Sequence, residues 1–155
     1  MINIKLTLVT TFITILLSAC TYQRINLPDQ KSFFIQEINV SGDSRSAFII
    51  KKKINRFSNI ESQNKIVLDI ELTKRREIQE KNIQNKITKY KVKLSAKVEI
   101  KELNNSKLSR FYSNERIYDV AEQYSTTVNN AKNVDKELID LIVDQILDEL
   151  KIYFN

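Results

Sequence analysis

The sequence predicts an α+β fold. Its expected form is a two-layer β-α-β-β-β-α arrangement: a mostly antiparallel, mixed four-stranded sheet with two helices on one face. Three observations predict it. Apolar and polar residues alternate strictly over Ile66–Thr73 and again over Tyr90–Lys101, which is the period of a half-buried strand. Near the C-terminus the apolar period changes to that of a helix, through Val134, Leu138, Leu141, Ile142, Ile146 and Leu150. Turn and capping chemistry, Ser41-Gly42-Asp43-Ser44 and Asn104-Asn105-Ser106, separates the periodic segments.

Each element has its own warrant. Phe33–Val40 is rich in aromatic and β-branched residues and reads as a first strand. Asp43 or Ser44 can cap a helix, and Ala47, Ile50, Ile54 and Phe57 then follow on one helical stripe, with Phe48 beside them. Arg45, Lys51, Lys52, Lys53 and Arg56 cover much of the rest of that helix. Ile66, Leu68, Ile70 and Leu72 alternate with Val67, Asp69, Glu71 and Thr73 in a second strand with one wet face. Lys74–Lys86 is charged and rich in Gln and Asn, and reads as a long loop or a frayed extension of that strand. In the third strand Tyr90, Val92, Leu94, Ala96, Val98 and Ile100 share one parity, and the other is mostly lysine. Lys107–Tyr118 is its hairpin return, Asp119–Asn130 is ambiguous, and the last helix is expected from about Ala131.

The N-terminus reads as an export signal. Leu6–Leu17 is an apolar, Thr-rich run of 12 residues. A helix needs roughly 20 apolar residues to cross a bilayer, so the run has the length of a signal-peptide core instead. Leu17-Ser18-Ala19-Cys20 follows it and matches the bacterial lipobox, in which the Cys thiol is the atom that is lipidated. Cys20 is the single Cys of the chain. The expected organisation is a signal peptide over 1–19, a lipidated tether over 20–32 containing the single Pro, Pro28, and one domain over 33–155. One acyl chain anchors a protein only marginally, whereas two hold it stably. Thr21 rather than Asp after the lipidated Cys favours the outer membrane, on its periplasmic side.

Composition narrows the function classes. There is no His, which removes the usual general base and the commonest metal ligand. One Gly excludes glycine-rich phosphate loops, and one Cys excludes an internal disulfide or a Cys-based zinc site. A non-enzymatic binding protein without metal or cofactor is expected. Glu99 and Glu102 are a carboxylate pair of the kind that wall hydrolases use, but they read as surface charges. The net charge of +6 is uneven: Cys20–Tyr118 holds 21 basic and 11 acidic residues, and Asp119–Asn155 holds 3 and 8. A basic surface attracts polyanions. With an exported address these are phospholipid headgroups and phosphorylated glycolipid, not nucleic acid. The plainer alternative is a solvated lysine face that deters edge pairing.

The layout resembles the LPS-assembly lipoprotein family, LptE. The likeness is carried by the lipobox Leu17–Cys20, the strand Ile87–Ala96, the hairpin after it, and the stretch Tyr124-Ser125-Thr126-Thr127 leading through Ala131-Lys132 into the terminal helix. Thr21-Tyr22-Gln23-Arg24 and Asn104-Asn105 depart from the family's pattern after the Cys and at the hairpin turn. The resemblance implies a small plug lodged in the lumen of an outer-membrane β-barrel of the LptD type. Such a plug assists assembly of the barrel and binds lipopolysaccharide on its way to the outer leaflet. It further implies lipopolysaccharide contacts at basic residues in the loop before the third strand and just before the last helix. Here these are Lys81 and Lys86, with Arg75 and Arg76 nearby, and Lys132. An auxiliary lipoprotein of a phospholipid-transport ABC system is the alternative, and a lipoprotein that only decorates the envelope is a plainer one.

Overall fold

The computed structural model describes residues 33–102 and 107–154. The signal segment, Cys20, the tether and the turn Asn104-Asn105-Ser106 lie outside the described residues. The elements are β1 (Phe34–Gly42), α1 (Ser44–Asn55), β2 (Lys65–Lys81), β3 (Ile87–Glu102), β4 (Lys107–Asp119) and α2 (Tyr124–Phe154). The sheet order is β1-β2-β3-β4. β1 pairs parallel with β2, with α1 as the crossover between them, and the other two pairings are antiparallel. The expected two-layer α+β architecture is therefore the observed one.

Alternation decides which side of the sheet is covered. Leu68, Ile70 and Leu72 of β2 and Val92, Leu94, Ala96, Val98 and Ile100 of β3 are all buried. They meet Ile50 and Ile54 of α1 and Leu138, Ile142, Ile146 and Leu150 of α2 in one core. On the helix side of β4, Tyr118 is buried and Leu108 and Tyr112 pack against the core, with polar contacts among them. Arg110 Nε donates to Glu149 Oε1 at 2.8 Å, and Asn114 Nδ2 donates to Gln145 Oε1 at 2.8 Å. Phe33 packs against Phe154 with ring centroids 5.9 Å apart, so the domain begins where the long helix ends.

Two elements differ from their sequence-based extents. Of the two readings of Lys74–Lys86, the strand extension is the observed one for Lys74–Lys81. It continues β2, and its ladder with β3 runs to Lys81↔Ile87 with irregularities around Glu80. The apolar period stops there because the residues on the helix side are Lys74, which meets Asp135 of α2, and Arg76, which lies over the Tyr90 ring, while backbone pairing continues. Only Asn82–Lys86 is a turn: Asn82 Oδ1 accepts from Gln84 N and Lys86 N, and Asn85 takes φ +59°. The last helix begins at Tyr124, not near Ala131. Its early turns are held by polar contacts that leave no apolar period. Thr127 Oγ1 accepts from Ala121 N at 2.9 Å, and Asn130 Nδ2 donates to Asp119 O at 3.0 Å.

The single glycine makes the β1–α1 turn possible. Gly42 has φ +99°, and a Cβ there would sit 1.9 Å from the Leu72 carbonyl oxygen. Gly42→Ala should therefore destabilise the domain by about 2–4 kcal/mol, from strain plus a forced shift of the parallel pair. Asn85→Gly, also at positive φ, should cost less than about 0.5 kcal/mol. Urea midpoints at unchanged slope measure both. Equal effects from the two would contradict this account of the turn.

Candidate functional site

β2 runs 17 residues from the Phe33 end of the sheet to the β2–β3 turn, a length of about 55 Å. Asp119, at the end of β4, pairs with Lys89 near that turn, so α2 starts close to it and runs back toward Phe33. The molecule thus has a base, at Phe33, and a distal half. The structure brings Arg75, Arg76, Lys81, Lys86 and Lys132 to the distal half, but on separate surfaces.

Lys81 ends β2, and its Nζ donates to Asn85 Oδ1 at 3.1 Å. Lys86 closes the turn, accepting from Asn82 N through its carbonyl at 2.9 Å. Arg75 and Arg76 alternate, so Arg75 lies on the uncovered face and Arg76 on the helix side. The Arg76 guanidinium sits 4.9 Å from the centre of the Tyr90 ring, which in turn packs on Tyr118 at 5.6 Å. That contact is a cation–π interaction, and it fixes a charge at the sheet's overhang. Lys132 is not before the last helix but within it, because the helix starts earlier than its apolar period shows. It is exposed and faces the crevice between α1 and α2.

The lysine face of β3 is more neutral than its sequence reads. Acids from β2 reach it: Lys91 stands opposite Glu77 in register and meets it at 3.7 Å, and Lys101, opposite Val67, pairs diagonally with Asp69. Lys89 meets Glu80 at 2.6 Å across the irregular end of the ladder. Glu99 lies between Lys107 at 2.8 Å and Lys97 at 3.4 Å. Among the described residues, Arg75 and Lys93 form no ion pair. Alternation puts Glu99 and Glu102 on opposite faces, so they do not converge on a common point.

The charges that do pair are tuned accordingly. The hydrogen bond from Lys101, then that from Asn39, holds the Asp69 carboxyl below its ordinary value, and the same contact raises Lys101. Lys107 does the same to Glu99, and Lys89 to Glu80, with Lys89 raised in turn. Asp43 caps α1. The side-chain hydrogen bond of Ser46, helped by its backbone N–H, keeps that carboxyl low.

Sequence reasoning missed Lys74 and Asp135. They join β2 to α2 at 2.6 Å with each side chain 26% exposed. Asp135 also lines a cavity of about 290 Å³, whose lining mixes the charged Asp43, Lys74 and Arg76 with Val92 and Tyr118. Only the tertiary fold brings these residues together.

Solved structures of several lipoproteins share this arrangement. A minor lipoprotein from Acinetobacter baumannii superposes with a TM-score of 0.60 at 16% identity, covering 81% of this chain and 95% of that one. The rare lipoprotein B from Shewanella oneidensis gives 0.57 at 11% identity, covering 74% and 92%. An uncharacterized lipoprotein B from Nitrosomonas europaea gives 0.57 at 13% identity, covering 82% and 90%. The chain has the fold of these lipoproteins. No protein-family model matches it, and no curated protein does.

The lowered carboxylates set the pH dependence. Their folded values lie below the unfolded ones, so their contribution is present above about pH 4 and is lost as the pH falls through the lower folded values. With no His, no ordinary side chain titrates between about pH 5 and 8. The urea midpoint should be flat over that interval and fall below about pH 4, and Asp69→Asn should reduce the acid-side fall. A decline between pH 7 and 5 would contradict the assignment.

Proposed function

We propose that this chain is a lipid-anchored envelope protein of the outer membrane. It acts on the periplasmic side as plug and assembly partner of an LptD-type β-barrel, and it binds lipopolysaccharide during delivery to the outer leaflet. The observation that carries the reading is a lipobox, Leu17-Ser18-Ala19-Cys20, on a domain whose fold is shared with lipoproteins from three genera. The resemblance to the LptE family supplies the barrel and the glycolipid.

The geometry fits that work. Anchored near Phe33, the domain projects its basic distal half away from the lipid that holds it. A plug in a barrel must offer hydrogen bonds to a polar lumen. The uncovered sheet face, studded with Lys–Glu and Lys–Asp pairs, offers them without an excess of either sign over most of its length. At the distal end Lys81 and Lys86 form no ion pair among the described residues, and Lys and Arg bind phosphate through charge-assisted hydrogen bonds.

The auxiliary-lipoprotein alternative requires an apolar groove for acyl chains. The cavities beside α1, α2 and the β1 edge are instead rimmed by charged side chains.

Affinity purification from a detergent extract separates the two readings. Co-isolation of a large heat-modifiable barrel is expected; co-isolation of an ABC complex would overturn the proposal. Lys81→Glu, Lys86→Glu and Lys132→Glu together should weaken lipopolysaccharide binding about tenfold or more without unfolding the domain, since all three are exposed. Unchanged binding across a salt titration would remove these residues from the site.

A further inference from the structure

A crevice of about 290 Å³ lies between α1 and α2. Arg45 on α1 and Lys132 and Lys136, one turn apart on α2, line it, over Ile49 and Ile139. Two acids also line it, Asp135 and Asp140. Both are already engaged from outside: Asp135 by Lys74 at 2.6 Å, and Asp140 by Lys53. Among the described residues, Arg45, Lys132 and Lys136 make no ion pair. The crevice therefore keeps three cations whose local countercharges are taken by other lysines.

We propose that this crevice is a binding site for a phosphate monoester on a sugar-sized group. Three cations from two helices can surround a dianion, and Arg offers the planar fork that suits phosphate oxygens. The Asn133 amide, also in the lining, adds a neutral donor. The volume is at the small end of ligand pockets, which suits a phosphorylated monosaccharide rather than acyl chains. The ligand is either the phosphorylated headgroup of a glycolipid or a soluble phosphate ester. The first deepens the reading above and rests on it for the ligand's identity. It moves the phosphate contact from the hairpin tip to the helix pair and adds Arg45 and Lys136 to Lys132.

The test uses the full mature chain in detergent and titration calorimetry with two probes, diphosphorylated lipid A in mixed micelles and inorganic pyrophosphate. The double variant Arg45→Gln, Lys136→Gln is compared with Lys81→Gln, Lys86→Gln, and circular dichroism checks the fold of each. The expected result is a loss of at least tenfold in lipid A affinity for the first variant and a smaller loss for the second. Lipid A binding unaffected by Arg45→Gln, Lys136→Gln would overturn the crevice and leave the glycolipid reading standing. Pyrophosphate binding that the double variant abolishes, with no lipid A binding by the unaltered protein, would support the site, assign it to a soluble phosphate and overturn the glycolipid reading. Binding of neither probe would overturn both.

Discussion

The β2–β3 ladder is the constraint from which the rest of the structure follows. Its register pairs Leu68 with Ile100, Ile70 with Val98 and Leu72 with Ala96, and so collects the apolar parity of both strands on one face. A slip of one residue would turn the lysines of β3 toward the helices and send Leu94 and Val98 into water. That penalty fixes the register, and the register fixes everything beyond it. It sets where α1 and α2 can pack, and which acids of β2 stand opposite which lysines of β3. It also carries the paired strands past the helix layer to the Asn82–Lys86 turn.

Much of the fold was legible because one signal carried it. Wherever an element packs against the core, burial imposes a period that can be read in the sequence, as in Val92–Ile100 and Val134–Leu150. The signal fails where structure is held by something other than burial. Lys74–Lys81 is a strand by backbone pairing and cross-strand ion pairs. Tyr124–Asn130 is helical through Thr127 and Asn130, which bind the preceding chain. The misplaced helix start in turn misplaced Lys132, which a resemblance of order alone puts before the helix.

The candidate site was legible only in part. The sequence shows how many lysines there are but not which of them have partners. Lys89, Lys91, Lys97 and Lys101 look alike in the alternating pattern, yet each meets a carboxylate. Lys74 and Lys53 are ordinary basic residues in sequence, yet each reaches an acid on α2. The functional contrast is therefore between charges balanced within the fold and charges left over. Among the described residues, those without an ion pair include Lys81 and Lys86 at the hairpin turn, Arg45, Lys132 and Lys136 between α1 and α2, and Arg56 and Lys65 nearer the Phe33 end.

The account depends on the domain working at a lipid leaflet outside the cytoplasm, which is decided at Cys20. The most direct measurement is the mass of the intact protein, and of its N-terminal peptide, isolated from membranes. The predicted result is a chain shortened by the first nineteen residues, beginning at Cys20 and carrying a diacylglycerol thioether with a further acyl chain on the amino group. A full-length chain in the cytosolic fraction, or a mature protein with a free Cys20 thiol, would contradict it.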